Sequence, residues 1–313
     1  MWSQNSAFDS EYPLQLTWDS TSYKLLKECP YKYALVMVEG WASRKRSIHL
    51  TFGIAFHAAM ERYHVLRSQG IEQEEALEII IAGMYYRQLR TQKEKELGGG
   101  YNEYAIPDGN TAKSSVTLLR TIVWYIDQYG DNDAAKTFTL SNGKPAVELS
   151  FRIPLDNGYE YAGHFDRVAE YNDQLWIPDY KTTTSVLDAR YFSQWTPDIQ
   201  MTGYTLAGQI VFELPVKGII VDAVQLGVTY SNFGRQTINR TPGQLEEFLA
   251  DMRTDLQIAQ MFAEKQSWPM NATACHHFGG CEFRKVCSHS PAVRDNFLKA
   301  DFVKRIWNPK EER

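Results

Sequence analysis

Apolar positions Phe52, Phe56, Ala59, Tyr63 and Leu66 recur at steps of three and four through LTFGIAFHAAMERYHVLRSQG, residues 50–70. With Gly70 closing the run, that spacing predicts an amphipathic helix. Residues 20–35 open on hydroxyl residues suited to capping, carry Leu25, Leu26 and Leu35, and contain Pro30, so a short helix interrupted at Cys29-Pro30 is predicted. Residues 72–96 and 111–129 predict two further helices, separated by the Gly, Asn and Pro stretch LGGGYNEYAIPDGN. From residue 146 the period falls to two. AVELSFRIPL, YEYAGHFDRVAEY and QLWIPDYKT are broken at Asp156-Asn157-Gly158 and at Asn172-Asp173, which predicts an antiparallel meander. A hydroxyl cap with Pro197 at the first helical position predicts a helix over 197–213, and GIIVDAVQLGVTY predicts another strand. Thr241 and Gln244, in capping-box spacing around Pro242, open a long final helix.

Helix-period and strand-period segments in one chain give the α/β (α+β) class, with one domain over residues 1–313 and a helical insert over 70–140. The 313 residues are 43% hydrophobic and 13% aromatic, enough for a substantial core. No apolar run approaches the roughly 20 residues that span a bilayer, so no membrane partner and a cytoplasmic location are expected. A net charge of −5 offers no global field for nucleic acid, and any such surface must be local.

In GHFDRVAEYNDQLWIPDYKTTT, Asp166 and Asp179 lie 13 positions apart, with their midpoint at Asn172-Asp173. A two-residue turn there makes them direct cross-strand partners, with Cβ atoms about 4.5–5.5 Å apart, and Lys181 shares their face. Opposed carboxylates repel unless a cation sits between them, and a divalent ion such as Mg²⁺ or Mn²⁺ fits better than one amine. The plainer reading is a hairpin with an Asp–Lys ion pair.

Asp166 and the run Pro178-Asp179-Tyr180-Lys181 resemble the signature of the PD-(D/E)XK nuclease superfamily. Gly53, His57 and Glu61 upstream (G-x-x-x-H-x-x-x-E) and Gln200 with Tyr204 downstream (Q-x-x-x-Y) resemble its RecB-like branch, which includes CRISPR-associated exonucleases of that type. The resemblance spans about residues 20–290. It implies a restriction-endonuclease-like core, a central mixed sheet flanked by helices. It also implies a metal held by His57, Asp166, Asp179 and the main-chain carbonyl of Tyr180, with Lys181 activating or orienting the attacking water and Gln200 and Tyr204 in catalytic positions. His57 and Glu61, as i and i+4, share a helix face, and an imidazole among carboxylates favours manganese. Glu61 supports the site, and Glu148 resembles the acidic residue preceding the Asp motif, also supporting. His64, one further turn along the same helix, is read as structural.

Cys29 stands alone near the start, and Cys275, Cys281 and Cys287 follow a C-x5-C-x5-C spacing without the C-x2-C knuckles usual for zinc. RecB-like nucleases with an iron–sulfur cluster place one Cys before the core and three after it. The resemblance therefore implies a 4Fe–4S cluster on these four thiols, joining segments 20–35 and 267–290 as a subdomain and clipping the chain ends. Cys275 departs from the family spacing, and His276 or His277 is the alternative ligand; a zinc-binding scaffold is the alternative for the whole set.

Arg44-Lys45-Arg46 and Arg284-Lys285 are the candidate phosphate contacts, and the aromatics of residues 97–110 are candidates for base stacking. The expected function is a metal-dependent DNA nuclease, an exonuclease acting on DNA ends in repair, recombination or a phage or CRISPR setting. The alternative is a non-hydrolytic DNA-binding or assembly subunit that keeps the fold.

Overall fold

The computed structural model describes residues 7–8, 13–44, 47–96, 106–212, 216–276, 280–305 and 307–309, with backbone only over 87–96. In chain order the elements are β1 (Thr17–Trp18), α1 (Ser20–Glu28), α2 (Pro30–Tyr33), a π-helical turn (Ala34–Val38), β2 (Trp41–Ser43), α3 (Ile48–Ser68), α4 (Gln73–Glu96) and α5 (Ser115–Tyr129). There follow β3 (Lys136–Thr137), β4 (Val147–Pro154), β5 (Glu160–Arg167), β6 (Ala169–Tyr171), β7 (Gln174–Thr183), α6 (Ala189–Ser193) and α7 (Ile199–Val211). The chain continues with β8 (Val216–Leu226), β9 (Ser231–Asn239), α8 (Pro242–Glu264), α9 (Arg284–Cys287), α10 (Pro291–Asp301) and β10 (Phe302–Lys304). They fall into two compact units, one of residues 1–44, 150–163 and 240–313, the other of residues 45–149 and 164–239.

The second unit is built on a five-stranded mixed sheet in the order β3-β6-β7-β8-β9. β7 and β8 run parallel, and the other three pairings are antiparallel. β8 is buried along nearly its whole length, which is why IIVDAVQL reads as an apolar run rather than an alternation. The predicted stripe of α3 faces inward: Phe52, Phe56, Met60, Tyr63 and Leu66 form one core with Leu118, Ile122 and Tyr125 of α5 and with Tyr180, Val224 and Leu226 of the sheet. On α7, a side chain at Gly208 would bring its Cβ within 2.8 Å of Ile177 and 3.0 Å of Val216, so glycine lets that helix approach the sheet.

The hairpin at Asn172-Asp173 has the predicted register, pairing Tyr171 with Gln174, Glu170 with Leu175 and Ala169 with Trp176. Both turn residues have positive φ, 51° and 57°, the geometry of a type I′ turn. The meander is not one continuous sheet, since β4 and β5 stay neighbours but in a different sheet from the hairpin. Val168 leaves the hairpin ladder, its N–H donating to the Ala146 carbonyl at 2.8 Å, and β5 joins β1 and β4 in a separate three-stranded sheet. The next neighbour of β7 is instead β8, more than thirty residues downstream. Alternation places a strand's faces but does not name its partner, and β7, buried from Leu175 to Tyr180, takes a partner on each edge.

In the first unit, Cys29 is extended (φ −162°) because Pro30 follows it, and this separates α1 from α2 as expected. Asp19 and Ser22 cap α1, and Thr241 with Gln244 forms the predicted capping box of α8 around Pro242. Leu35, Trp41, Phe283, Val286, Leu298 and Phe302 make a small core beneath the β2–β10 pair. For α7 the cap differs from expectation. Asp198 accepts from the N–H groups of Gln200 and Met201, and Pro197 lies outside the helix, which starts at Ile199. Among the described residues no helix is long and apolar enough to cross a membrane.

Candidate active site and metal centre

Residues of the second unit carried on four elements converge. α3 presents His57 near its middle; its Nε2 lies 3.0 Å from the Tyr180 carbonyl oxygen and its Nδ1 3.3 Å from Asp166 Oδ1. Asp166, at the end of β5, also accepts from the Tyr180 N–H at 3.0 Å through Oδ2. The aspartates are thus neighbours, although regular pairing ends at Ala169 and a side chain rather than the ladder makes the link. Asp179, 1% exposed on β7, sits 2.5 Å from Lys181 Nζ. Gln200, on the first turn of α7, bridges that pair: its Nε2 donates to Asp179 Oδ1 at 3.2 Å and its Oε1 accepts from Lys181 at 3.0 Å. The Lys181 ammonium also lies 5.4 Å from the Trp195 ring centre.

Glu148 joins the cluster. Its backbone is left-handed (φ 48°), rare outside glycine, and its carboxylate, an oxygen of Asp166 and a nitrogen of His57 all lie within 4.8 Å of one another. Left-handed backbone at a non-glycine residue is strain of the kind held at functional sites. The alternation of AVELSF shows that Glu148 exists on a strand edge, but not that this twist turns it toward His57.

The charges respond to this crowding. Burial pushes the Asp166 carboxyl up, but the His57 and Lys181 charges and the Tyr180 N–H outweigh it and hold Asp166 below the usual carboxylate range. For Asp179 burial dominates, Lys181 opposes it and Asp166 adds to it, so its carboxyl is raised. Burial works against the charged forms of His57 and Lys181, yet Asp166 raises the imidazole and Asp179 the amine above their ordinary values. The buried Asp179 and half-buried Asp166 and Glu148 carboxylates, an imidazole nitrogen and a main-chain carbonyl form an oxygen-rich donor set with one nitrogen, which fits Mn²⁺ or Mg²⁺.

Glu61 is not brought in: one turn beyond His57, it is exposed, and the cluster forms without it. A four-residue step advances a helix by 400°, so the shared face drifts toward solvent. Tyr204 is buried, 8% exposed, with its ring edge-on to Phe165 at 5.5 Å. His64 holds structure as expected. Its Nε2 lies 3.0 Å from Tyr180 Oη, its Nδ1 3.1 Å from Thr137 Oγ1, and burial with the Arg167 and Arg235 charges keeps it neutral.

A buried ion network beneath Tyr180 was not anticipated. Asp133 binds Arg167 at 3.2 Å and Arg235 at 2.5 Å, and Arg235 also reaches Asp222 at 2.7 Å. Asp222, alone among apolar neighbours in GIIVDAVQL, was the one sequence cue to it.

In the first unit the four cysteines gather. The Asn271 N–H donates to Cys29 Sγ at 3.4 Å, the Cys275 thiol lies 3.9 Å from the Asn271 carbonyl, and the Cys281 N–H donates to the Cys275 carbonyl at 3.2 Å. Burial first, then the neighbouring Cys281, Cys29 and Cys275 thiols, push Cys287 up to about 11 even though Arg294 opposes them. His276 is exposed; His277, Lys45, Arg46 and the aromatics of 97–105 lie outside the described residues. The Arg44 guanidinium donates to the Lys299 and Ala300 carbonyls and Lys285 pairs with Asp301, so both contribute to this unit's own structure.

The family model that matches the chain is that of the PD-(D/E)XK nuclease superfamily, over residues 18–288. Among solved structures the chain is similar to a candidate exonuclease from Eubacterium rectale, with 13% identity, a TM-score of 0.49, and coverage of 83% of this chain and 86% of that one. It is also similar to the protein SSO0001, with 16% identity, a TM-score of 0.30, and coverage of 66% and 81%. No curated protein matches the chain.

Proposed function

The chain belongs to the PD-(D/E)XK nuclease superfamily, and we propose that it is a metal-dependent deoxyribonuclease of the RecB-like branch that acts as an exonuclease on DNA ends. The observation that carries this reading is the convergence of His57, Glu148 and Asp166 beside the Asp179–Lys181–Gln200 bridge. His57, Asp166, Asp179 and the Tyr180 carbonyl would hold the metal, with Glu148 as a further ligand. When bound, a divalent ion supplies Lewis-acid polarisation of the phosphoryl oxygen and makes water a better nucleophile.

The chain's own residues do the rest. Asp166 holds His57 by its Nδ1 and fixes the Tyr180 peptide by its N–H, so one carboxylate sets two donors. Among the described residues Lys181 is the one ammonium at the centre, kept charged by Asp179 and Asp166. It is placed to orient the attacking water and to offset negative charge that builds on the phosphorus oxygens. Gln200 prevents the Asp179–Lys181 pair from collapsing into a private ion pair by giving each a second partner. The exonuclease assignment rests on the RecB-like signatures at Gly53, His57, Gln200 and Tyr204.

Cys29, Cys275, Cys281 and Cys287 would hold a 4Fe–4S cluster, which supplies a covalent clip between segments that are more than 240 residues apart in the sequence. What supports this is that Cys287 lies close enough to Cys281, Cys29 and Cys275 for those thiols to add to burial in raising it, and four such sulfurs are the ligands a 4Fe–4S cluster takes.

The test is degradation of end-labelled single- and double-stranded DNA with Mn²⁺ or Mg²⁺, with chelator, and by Asp179→Ala. Stepwise shortening that needs both metal and Asp179 is expected. Binding without any cleavage by the wild type would favour the non-hydrolytic subunit instead.

A further inference from the structure

Lys113 is a lysine buried to 7% exposure in the turn that leads into α5. Its ammonium stands over the Phe52 ring, 5.8 Å from the centroid, and no carboxylate or hydrogen-bond acceptor holds it among the described residues. Burial lowers its pKa with no opposing charge to offset the effect, whereas Lys181 is raised by its partners. An unpaired buried cation costs folding free energy, and none of the described residues supplies its counter-ion, so a bound anion would offset that cost.

The ammonium lies near the start of α3, over Phe52 and close enough to act on His49. His49, on the first turn, feels the Lys113 charge more than any other influence. Ser47 caps the His49 N–H, and its carbonyl takes the Thr51 N–H. The N–H groups of Ile48 and Leu50 find no acceptor among the described residues, and no acidic residue lies in the first turn. A helix N-terminus with free donors, a positive dipole end and a buried ammonium beside it is an anion site with two independent sources of attraction.

Its location relates it to the active site, and the argument rests on the nuclease reading. His49, Gly53 and His57 are successive turns of one helix, and a Cβ on Gly53 would lie 3.6 Å from Thr182 Oγ1, one residue past Lys181. Eight residues of helix put the anion site about 12 Å along the axis from His57. A nucleic-acid strand advances about 3.4 Å per nucleotide in B-form and more when extended, so this distance is a few nucleotides. We propose that Lys113, His49 and the first turn of α3 bind a backbone phosphate of the DNA strand, a few nucleotides from the one being cleaved.

The test measures affinity for a single-stranded oligonucleotide in chelator, where nothing is cut, as a function of salt, together with thermal unfolding. Lys113→Met is expected to weaken binding about tenfold and to reduce the slope of log affinity against log salt by about 0.7. It is also expected to leave the melting temperature unchanged or raise it, since a buried unpaired charge is removed. His49→Glu, at an exposed site, is expected to fold normally and weaken binding by a similar or larger factor. A 5′-phosphorylated and a 5′-hydroxyl oligonucleotide are expected to lose affinity equally on Lys113→Met, as for an internal phosphate. A loss confined to the phosphorylated oligonucleotide would overturn the backbone assignment in favour of a terminal phosphate. Unchanged affinity and slope in both variants would overturn the site altogether, as would a lower melting temperature with an unchanged slope. A wild type that hydrolyses DNA while both variants bind normally sinks this proposal alone; a wild type inert on DNA sinks the nuclease reading.

Discussion

Replacing Gln200 by leucine removes two hydrogen bonds without changing net charge. Hydrogen bonds to charged groups contribute about 1.5–3 kcal/mol each. Asp179 and Lys181 remain paired at 2.5 Å after the substitution, so neither is left as an isolated buried charge, and the lower end applies. The loss is then about 3 kcal/mol of transition-state stabilisation, or roughly 140-fold in rate at about 1.4 kcal/mol per tenfold. Because the bridge positions Lys181 rather than binding substrate, the loss belongs in kcat, with KM nearly unchanged. The partly exposed side chain contributes little to the core, so the melting temperature should fall by no more than a few degrees. The assay is Mn²⁺-dependent hydrolysis of end-labelled DNA over a substrate series, with a circular-dichroism melt of the same preparation. A wild-type kcat, or a rate loss that tracks unfolding, would refute the reasoning.

Asp133→Asn should destabilise the protein by about 3–5 kcal/mol in urea, because it strips the carboxylate from Arg167, 1% exposed, and from Arg235. Burial works to raise Asp133, but the two arginines hold its carboxyl below the usual 3.8, so its stabilisation is full above that pH and is lost as pH falls through its folded value; acid titration of the variant should lack that loss. Asp173→Gly should stabilise by about 0.5–1 kcal/mol, since φ 57° in the hairpin turn suits glycine, and a higher urea midpoint with the same slope would show it. Cys287→Ala, purified without oxygen, should lose the brown colour and iron expected of the wild type, while a colourless, zinc-containing wild type would overturn the cluster.

Local periodicities were legible because the physics behind them is short-range. The stripe of α3, the capping box at Thr241 and the turn at Asn172-Asp173 each depend on residues within a few positions of one another. That is also why the spacing of Asp166 and Asp179 about the turn pointed to neighbours. What did not show depends on distant partners. The parallel pairing of β7 with β8 is set by burial on both edges, and the departure of β5 from the hairpin by a hydrogen bond from Val168 to Ala146. Glu148 needed a left-handed backbone that no pattern announces. The Asp133–Arg235–Asp222 network joins residues 13 to 102 positions apart, and Lys113 gains meaning only once α5 is folded against α3. Conversely, Glu61 sat at the spacing of a site residue and is exposed, because spacing fixes a helix face but not what covers it.

The central claim is that a divalent ion held by the His57, Glu148, Asp166 and Asp179 set drives the chemistry. Its most direct test is a Mn²⁺ titration that follows DNA hydrolysis by the wild type and by Asp166→Asn. Saturable activation of the wild type, none in chelator, and at least a tenfold higher Mn²⁺ requirement for the variant are expected. Hydrolysis that persists in chelator, or a variant with the wild-type Mn²⁺ dependence, would contradict the claim.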